Sequence, residues 1–225
     1  MAEIEVPKLE KPVQTADYSA ENRISRAMRL GAKTLILGDL NIHEVPESIG
    51  DVMTLEHLDL ESIQLEHHGS NLSTLPPAIG RLAHLRSIEA SGNRLTWLPT
   101  SLGQLGSLEA LDVSCNLLTS LPQTIGALAH LRHLDVAFNE LTELPDSVGE
   151  LGSLETLDLT ENFLCALPDS LRKLHSLKAL FLHGNDDLGI PAELLGPTAD
   201  AVAHHHAQPA DPARILDYYF HIQPA

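Results

Sequence analysis

From Leu85 onward the hydrophobic positions of this chain recur on a fixed schedule. The unit reads Leu-x-x-aliphatic-x-aliphatic-x-x-Asn-x-Leu, runs on through Leu-Pro, an aliphatic-Gly pair such as Ile125-Gly126 and a further Leu, and restarts 23 residues later at Leu108, Leu131, Leu154 and Leu177. Two less regular units, Ala32-x-x-Leu35-x-Leu37 and Leu55-x-x-Leu58-x-Leu60, bring the number to seven. Two periodicities alternate inside each unit. Leu111 and Val113 against Ala110, Asp112 and Ser114 predict a short strand with its aliphatics inward and its polar positions outward. The return half, Leu121-Pro122-x-x-Ile125-Gly126-x-Leu128, is too short for a long helix and predicts helical turns. Units of this kind bury their apolar faces only by stacking, which predicts a solenoid with a parallel sheet on its concave side and the turns on its convex side. Strands spaced about 4.7–4.9 Å apart then place equivalent residues of successive units in register.

Asn93, Asn116, Asn139, Asn162 and Asn185 recur just after each strand, where a buried amide satisfies backbone groups freed by the turn; they are read as structural. The first two units carry Leu40 and Ile63 there, and the second is lengthened by an insertion from Glu66 to Asn71, expected as a loop beside the concave edge. The open ends of such an array need covers. Ser19 as an N-cap, Ile24, Ala27 and Met28 at helical spacing, and Gly31 as a terminator predict a capping helix over residues 18–31. Asp211-Pro212 followed by Ile215, Leu216 and Tyr219 on one face predicts a second over 212–225. Residues 32–196 are then the seven repeats, 1–17 a flexible tail and 197–211 a linker rich in Ala, Pro and His.

Charge narrows the partners. With 31 acidic and 14 basic residues the formal charge is −17, a sign that repels phosphate backbones and anionic headgroups, so neither nucleic acid nor membrane is expected. Residues 1–20 hold Glu3, Glu5, Glu10 and Asp17 without a long apolar run, so no signal peptide or spanning segment is expected and the cytoplasm is the expected location. Cys115 and Cys165 lie in repeats that are not neighbours, which argues against a disulfide framework.

The candidate partner-binding residues stand in columns on the concave side. The fifth position of successive units reads Ile36, Asp59, Glu89, Asp112, Asp135, Asp158 and Phe181. Five stacked acids repel one another. One reading makes them a track for a basic protein segment; the other makes Leu-Asp-Leu a habitual strand sequence whose carboxylates are solvated or bonded to neighbouring Ser or Thr. The second position reads Lys33, Glu56, Arg86, Glu109, Arg132, Glu155 and Lys178, alternating in sign at every step, and is assigned to lateral pairing and register. Phe138, Phe163 and Phe181 project from the strand or the turn after it and are candidate aromatic anchors for a partner, with packing between rungs or against the carboxyl-terminal linker as the competing role. Trp97 is placed equally at an edge contact or in packing. His57 and His133 share the third position, so that His133 in particular is a groove residue able to make binding sensitive to pH.

His67-His68 and His204-His205-His206 lack the four ligands of fixed geometry that a structural zinc site requires, so no metal or other cofactor is expected. Ser114, Cys115 and His133 fall on neighbouring rungs, but an open groove offers no evident oxyanion site, and the chain is read as carrying no catalytic residues.

The 23-residue pattern over residues 32–195 resembles the intracellular leucine-rich-repeat proteins, a class that includes Ras-regulating scaffolds and bacterial repeat proteins. That resemblance implies an α/β fold: a curved leucine-rich-repeat horseshoe with a parallel concave β-sheet, short helical turns on the convex side and helical caps. The flanks, Arg23-Ile24 to Gly31-Ala32-Lys33-Thr34-Leu35 at one end and Leu182-His183-Gly184-Asn185, Leu188-Gly189-Ile190-Pro191 and Ala213-Arg214-Ile215-Leu216-Asp217-Tyr218-Tyr219-Phe220 at the other, look like the repeat half of bacterial Roco proteins. In that family such an exit commonly leads into a GTPase domain; no Gly-x-x-x-x-Gly-Lys-Ser/Thr occurs in this sequence, so GTPase activity is not carried over. The resemblance implies a non-catalytic protein-interaction module or scaffold that binds a protein partner, such as a basic segment or an adjoining GTPase domain, on its concave face. Two alternatives stay open. One is the regulatory repeat half of a Roco-like GTPase; the other is a bacterial effector-type repeat that recruits a host target, a class usually built from shorter repeats.

Overall fold

A computed structural model describes residues 19–38, 40, 42–62, 71–205 and 207–222. Each unit opens with a three-residue strand: β1 (Thr34–Ile36), β2 (His57–Asp59), β3 (Ser87–Glu89), β4 (Ala110–Asp112), β5 (His133–Asp135), β6 (Thr156–Asp158) and β7 (Ala179–Phe181). The strands form one parallel sheet in sequence order, and the register never slips. Leu35, Leu58, Ile88, Leu111, Leu134, Leu157 and Leu180 therefore make a single buried row. Full burial of one such side chain stabilises by about 1.5–3 kcal/mol, so the row acts as a continuous core shared by all rungs.

The return halves form single-turn 3-10 helices at Glu47–Asp51, Pro77–Arg81, Thr100–Gln104, Gln123–Ala127, Asp146–Glu150 and Asp169–Lys173. A proline precedes each of them in an extended conformation, which fixes where the turn begins. The glycine inside the turn answers to close packing of neighbouring rungs: a Cβ on Gly149 would lie 2.3 Å from the Ser170 carbonyl oxygen. The sixth turn has Arg172 where its predecessors have glycine, and the carboxyl-terminal helix (Pro212–Ile222), not another 3-10 turn, packs on it. There the guanidinium lies 5.5 Å over the Phe220 ring.

Both ends are covered by helices. In α1 (Ala20–Leu30) the Ser19 hydroxyl accepts the Asn22 N–H at 3.2 Å, and Gly31 ends the helix at φ 59. Ala20, Ile24 and Ala27 are buried, whereas Met28, expected on the same face, is exposed. It follows Ala27 by one residue and so lies roughly 100° around the helix from it, at the margin of the buried stripe. At the other end come α2 (Ala192–Leu195), α3 (Ala199–His205) and α4 (Pro212–Ile222). In α4 Ile215, Leu216 and Tyr219 are buried, and the Tyr219 hydroxyl accepts the Leu167 N–H at 3.0 Å. Residues 197–211 were expected as a linker, yet they contain α3. Thr198 starts it by accepting the Ala201 N–H at 3.3 Å, and alanine favours helix strongly once a start is fixed. The expected tail at 1–17, Ile63 and nearly all of the Glu66–Asn71 insertion lie outside the described residues, as does His206.

The asparagines hold the rungs together. Asn139 Nδ2 donates to the Val113 carbonyl of the preceding rung at 3.0 Å and to the Val136 and Ala137 carbonyls of its own at 3.0 and 3.2 Å. Its Oδ1 accepts the Leu118 N–H, again of the preceding rung, at 2.9 Å. Asn116, Asn162 and Asn185 repeat this pattern. Asn93 donates likewise, but its Oδ1 has no partner among the described residues, which marks where the ladder meets the irregular second unit. Replacing Asn139 by Ala strands these buried groups, and urea denaturation of Asn139→Ala is expected to show a loss of roughly 1–3 kcal/mol; an unchanged midpoint would refute the role.

Candidate functional site

Register turns the repeat into columns on the concave face. Glu89, Asp112, Asp135 and Asp158 are direct neighbours across β3 to β6, with Asp59 beyond Glu89. Most of these acids have a local task. Oδ1 of Asp59, Asp112, Asp135 and Asp158 accepts the N–H two residues on, from Glu61, Ser114, Ala137 and Thr160 respectively, at 2.9–3.0 Å. This is the Asx turn by which a short polar side chain ends a strand. It accounts for Asp at this position and leaves the second carboxylate oxygen for the groove.

The acids are not equally wet. Asp158 is only 6% exposed, and burial pushes its carboxyl up. Asp135 is half-buried, and burial, reinforced by the charges of Asp158 and Asp112, raises it to about 7 against the opposing hydrogen bond from Ala137. Cys115 stands at the exposed edge beside them, and desolvation, then Asp112 and Asp135, pushes its thiol up, which makes it a poor nucleophile near neutral pH.

The second-position column pairs laterally. Lys33 Nζ meets Glu56 at 2.7 Å, Arg86 meets Glu109, and Glu155 takes both Arg132 at 2.7 Å and Lys178 at 2.5 Å. Hydrogen bonds from Lys33 and from Lys178 lower the Glu56 and Glu155 carboxyls. Exposed pairs of this kind contribute about 0–1 kcal/mol each, so the column serves register more than stability. In the third position, His57 Nδ1 lies 2.9 Å from the Ser87 hydroxyl, and His133 is exposed on the groove floor.

The three phenylalanines separate. Phe138 and Phe163 are 54% and 63% exposed at the edge where the chain leaves the concave sheet, with Leu117 also exposed on that edge. Phe181 is 3% exposed and takes the competing role, packing against α3 within the expected linker, so Phe138 and Phe163 remain as the open candidates. Trp97 is exposed on the far side of its repeat, over a shallow depression that includes Pro46, Pro76 and Pro77.

One feature of this edge was invisible to pattern reading. The eighth position of each regular unit holds Gly92, Cys115, Phe138, Glu161 and Gly184, and the backbone there is left-handed in all five, with φ of 68, 53, 55, 52 and 75. That conformation costs a residue with a Cβ about 1–2 kcal/mol, and a bulky ring is a rare occupant. The two glycines at equivalent positions are the signal that could have disclosed it. Among the described residues no three His, Cys, Asp or Glu side chains converge as a metal-holding group, and no helix is long and apolar enough to cross a membrane. His67 and His68 lie outside the described residues.

Two measurements follow from this geometry. Phe138→Gly is expected to be more stable than Phe138→Ala by about 1 kcal/mol, since both lose the ring but only alanine keeps the Cβ strain; equal urea midpoints would contradict a strained site. Because Asp135 is raised from its unfolded range near 4 to about 7, its ionisation opposes folding, and that cost grows as pH rises from about 4 to 7. The stability advantage of Asp135→Asn over the parent should therefore widen between pH 4 and pH 8, and a constant difference would contradict the assignment.

Known proteins place this architecture. Residues 122–196 match the family described as leucine-rich repeat region, and residues 84–141 the family described as leucine rich repeat. No curated protein sequence matches the chain. A leucine-rich-repeat protein of Leptospira interrogans is 36% identical with a TM-score of 0.65, covering 70% of this chain and 38% of that one. YopM from Yersinia enterocolitica is 28% identical with a TM-score of 0.57, covering 77% and 34%. The plant peptide hormone receptor RGFR1, solved in complex with RGF2, is 28% identical with a TM-score of 0.59, covering 69% and 25%. This chain therefore spans well under half the length of each of these relatives. Its asparagine-stapled rungs, parallel concave sheet and matching repeats make it a member of the leucine-rich-repeat family, whose repeats ordinarily serve as non-catalytic modules that bind other proteins.

Proposed function

We propose that the chain binds a protein partner across its concave face and the adjoining edge, with Phe138 and Phe163 as anchors and Asp59, Glu89, Asp112, Asp135 and His133 as the polar floor. The observation that carries this reading is Phe138: a large ring, more than half exposed, held in a left-handed conformation that glycine takes without strain two rungs away in either direction. Folding gains nothing from such a residue, and strain of this kind collects at functional sites. Half-exposed aromatics also supply much of the energy of protein interfaces. The acidic floor supports a partner with a basic segment, recruited faster at low ionic strength than at high. Two unpaired, exposed thiols, Cys115 and Cys165, support action in a reducing compartment such as the cytoplasm.

The reading is tested by affinity capture from lysate of the source cell, comparing the parent with Phe138→Gly/Phe163→Ala. Both substitutions replace exposed rings, and the first relieves strain, so the variant is expected to fold at least as well in its strained turn. A protein recovered by the parent and depleted at least fivefold with the variant is the expected result. Equal recovery of every captured protein would move the binding surface away from this edge.

A further inference from the structure

After Gly196 the chain crosses the carboxyl-terminal half of the concave sheet as α3, and Gly196 and Ala210, on either side of that excursion, touch. Gly196 adopts φ 68 and ψ −151, a conformation essentially confined to glycine, and a Cβ placed there would lie 2.9 Å from the Ala210 Cβ. His183 Nε2 lies 3.1 Å from the Gly196 carbonyl oxygen, which accepts its proton and pins the neck to the last rung. Compact surface loops with closed necks are frequently functional.

The body of this loop is poorly seated. Between α3 and the sheet lies a cavity of about 460 Å³, with Ala199, Val202 and Ala203 on one wall and Asp112, Asp135, Asp158, His133 and Phe181 among the residues facing them. That space opens to solvent along the groove, and none of residues 197–204 is buried. A segment lying over such a space gains little from burial, and segments with few apolar contacts open locally at low cost.

We propose that α3 (Ala199–His205) is a hinged flap that covers the carboxyl-terminal half of the groove and swings out on its Gly196–Ala210 neck to admit a partner to Asp135, Asp158 and Phe181. This rests on the concave-face reading above and adds its regulation. It also specifies the partner: a segment that offers an apolar side chain to Phe181 in place of Ala199, Val202 and Ala203, and cationic groups to the acids. The charges facing Asp135 are those of Asp112, Asp158, Glu89 and His133 on the sheet; the described α3 side chains that line the cavity, Ala199, Val202 and Ala203, are uncharged, and Asp200 and His204 pair with each other on that helix at 2.9 Å. A protonated Asp135 tolerates the dry cover and an ionised one draws water, so the flap is tighter below pH 7 than above it.

Hydrogen–deuterium exchange by mass spectrometry on the full chain tests the hinge, with Val202→Gly/Ala203→Gly removing helix propensity and apolar contact without altering charge. Protection factors in residues 199–205 are expected to fall at least tenfold while those of α4 and β7 hold. Protection within twofold of the parent, or joint loss across α3 and α4, would overturn the flap. The peptide acetyl-Lys-Lys-Phe-Lys-Lys-amide, titrated calorimetrically, then reads access. It should bind the glycine variant at least fivefold more tightly than the parent, and equal affinity would overturn gating. An opened flap with no peptide binding to either form would instead overturn the basic-partner reading and leave the hinge standing.

Discussion

A chain that turns sharply after every three-residue strand leaves carbonyl groups pointing into an aliphatic core, and one asparagine amide per regular rung meets them. Because that amide reaches the carbonyls and N–H of the preceding rung as well as its own, it fixes the rise and the register of the stack together. Buried polar groups left without partners cost more than a made hydrogen bond gains, so each rung is held to one geometry relative to the last. All that distinguishes the concave face, from the aligned acids to the alternating ion pairs and the exposed edge, follows from that fixed register.

A surface so rigidly repeated makes departures informative. The Asx turns explain why aspartate recurs at the strand end, which disposes of most of the acidic column without any partner. They do not explain why Asp135 is half-buried and Asp158 buried, nor why the eighth position, glycine in the third and seventh rungs, is a phenylalanine in the fifth. Each of these features works against folding, and all lie along the groove or its edge. Among the described residues, the non-glycine residues with positive φ, Cys115, Phe138 and Glu161, all lie on this edge and none in the convex turns.

Much of this was legible in the sequence. The 23-residue period dictated the parallel sheet, the convex turns, the buried asparagines and the lateral pairing of Arg132 with Glu155, because periodicity alone decides which side chains become neighbours. Ser19 and Gly31 announced the first cap through local backbone chemistry. What stayed hidden depended on non-local facts. Packing against the linker was one of the roles open to Phe181, but that α3 folds back over β7 and buries this ring alone is something no repeat pattern encodes. The helix itself was masked by a composition of Ala, Pro and His that reads as a linker until Thr198 is recognised as its start. Met28 shows the limit of helical spacing, since adjacent Ala27 and Met28 cannot share one narrow buried stripe.

The central claim is that the Phe138 edge and the concave floor together form the protein-binding surface. Hydroxyl-radical footprinting of the free chain and of its complex with a captured partner tests it most directly, because the method reports the solvent exposure of individual side chains. Oxidation of Phe138 and Phe163 should fall severalfold in the complex, while Met53, exposed beside the convex turn Glu47–Asp51, keeps its rate. Protection of Met53 with Phe138 and Phe163 unchanged would contradict the account.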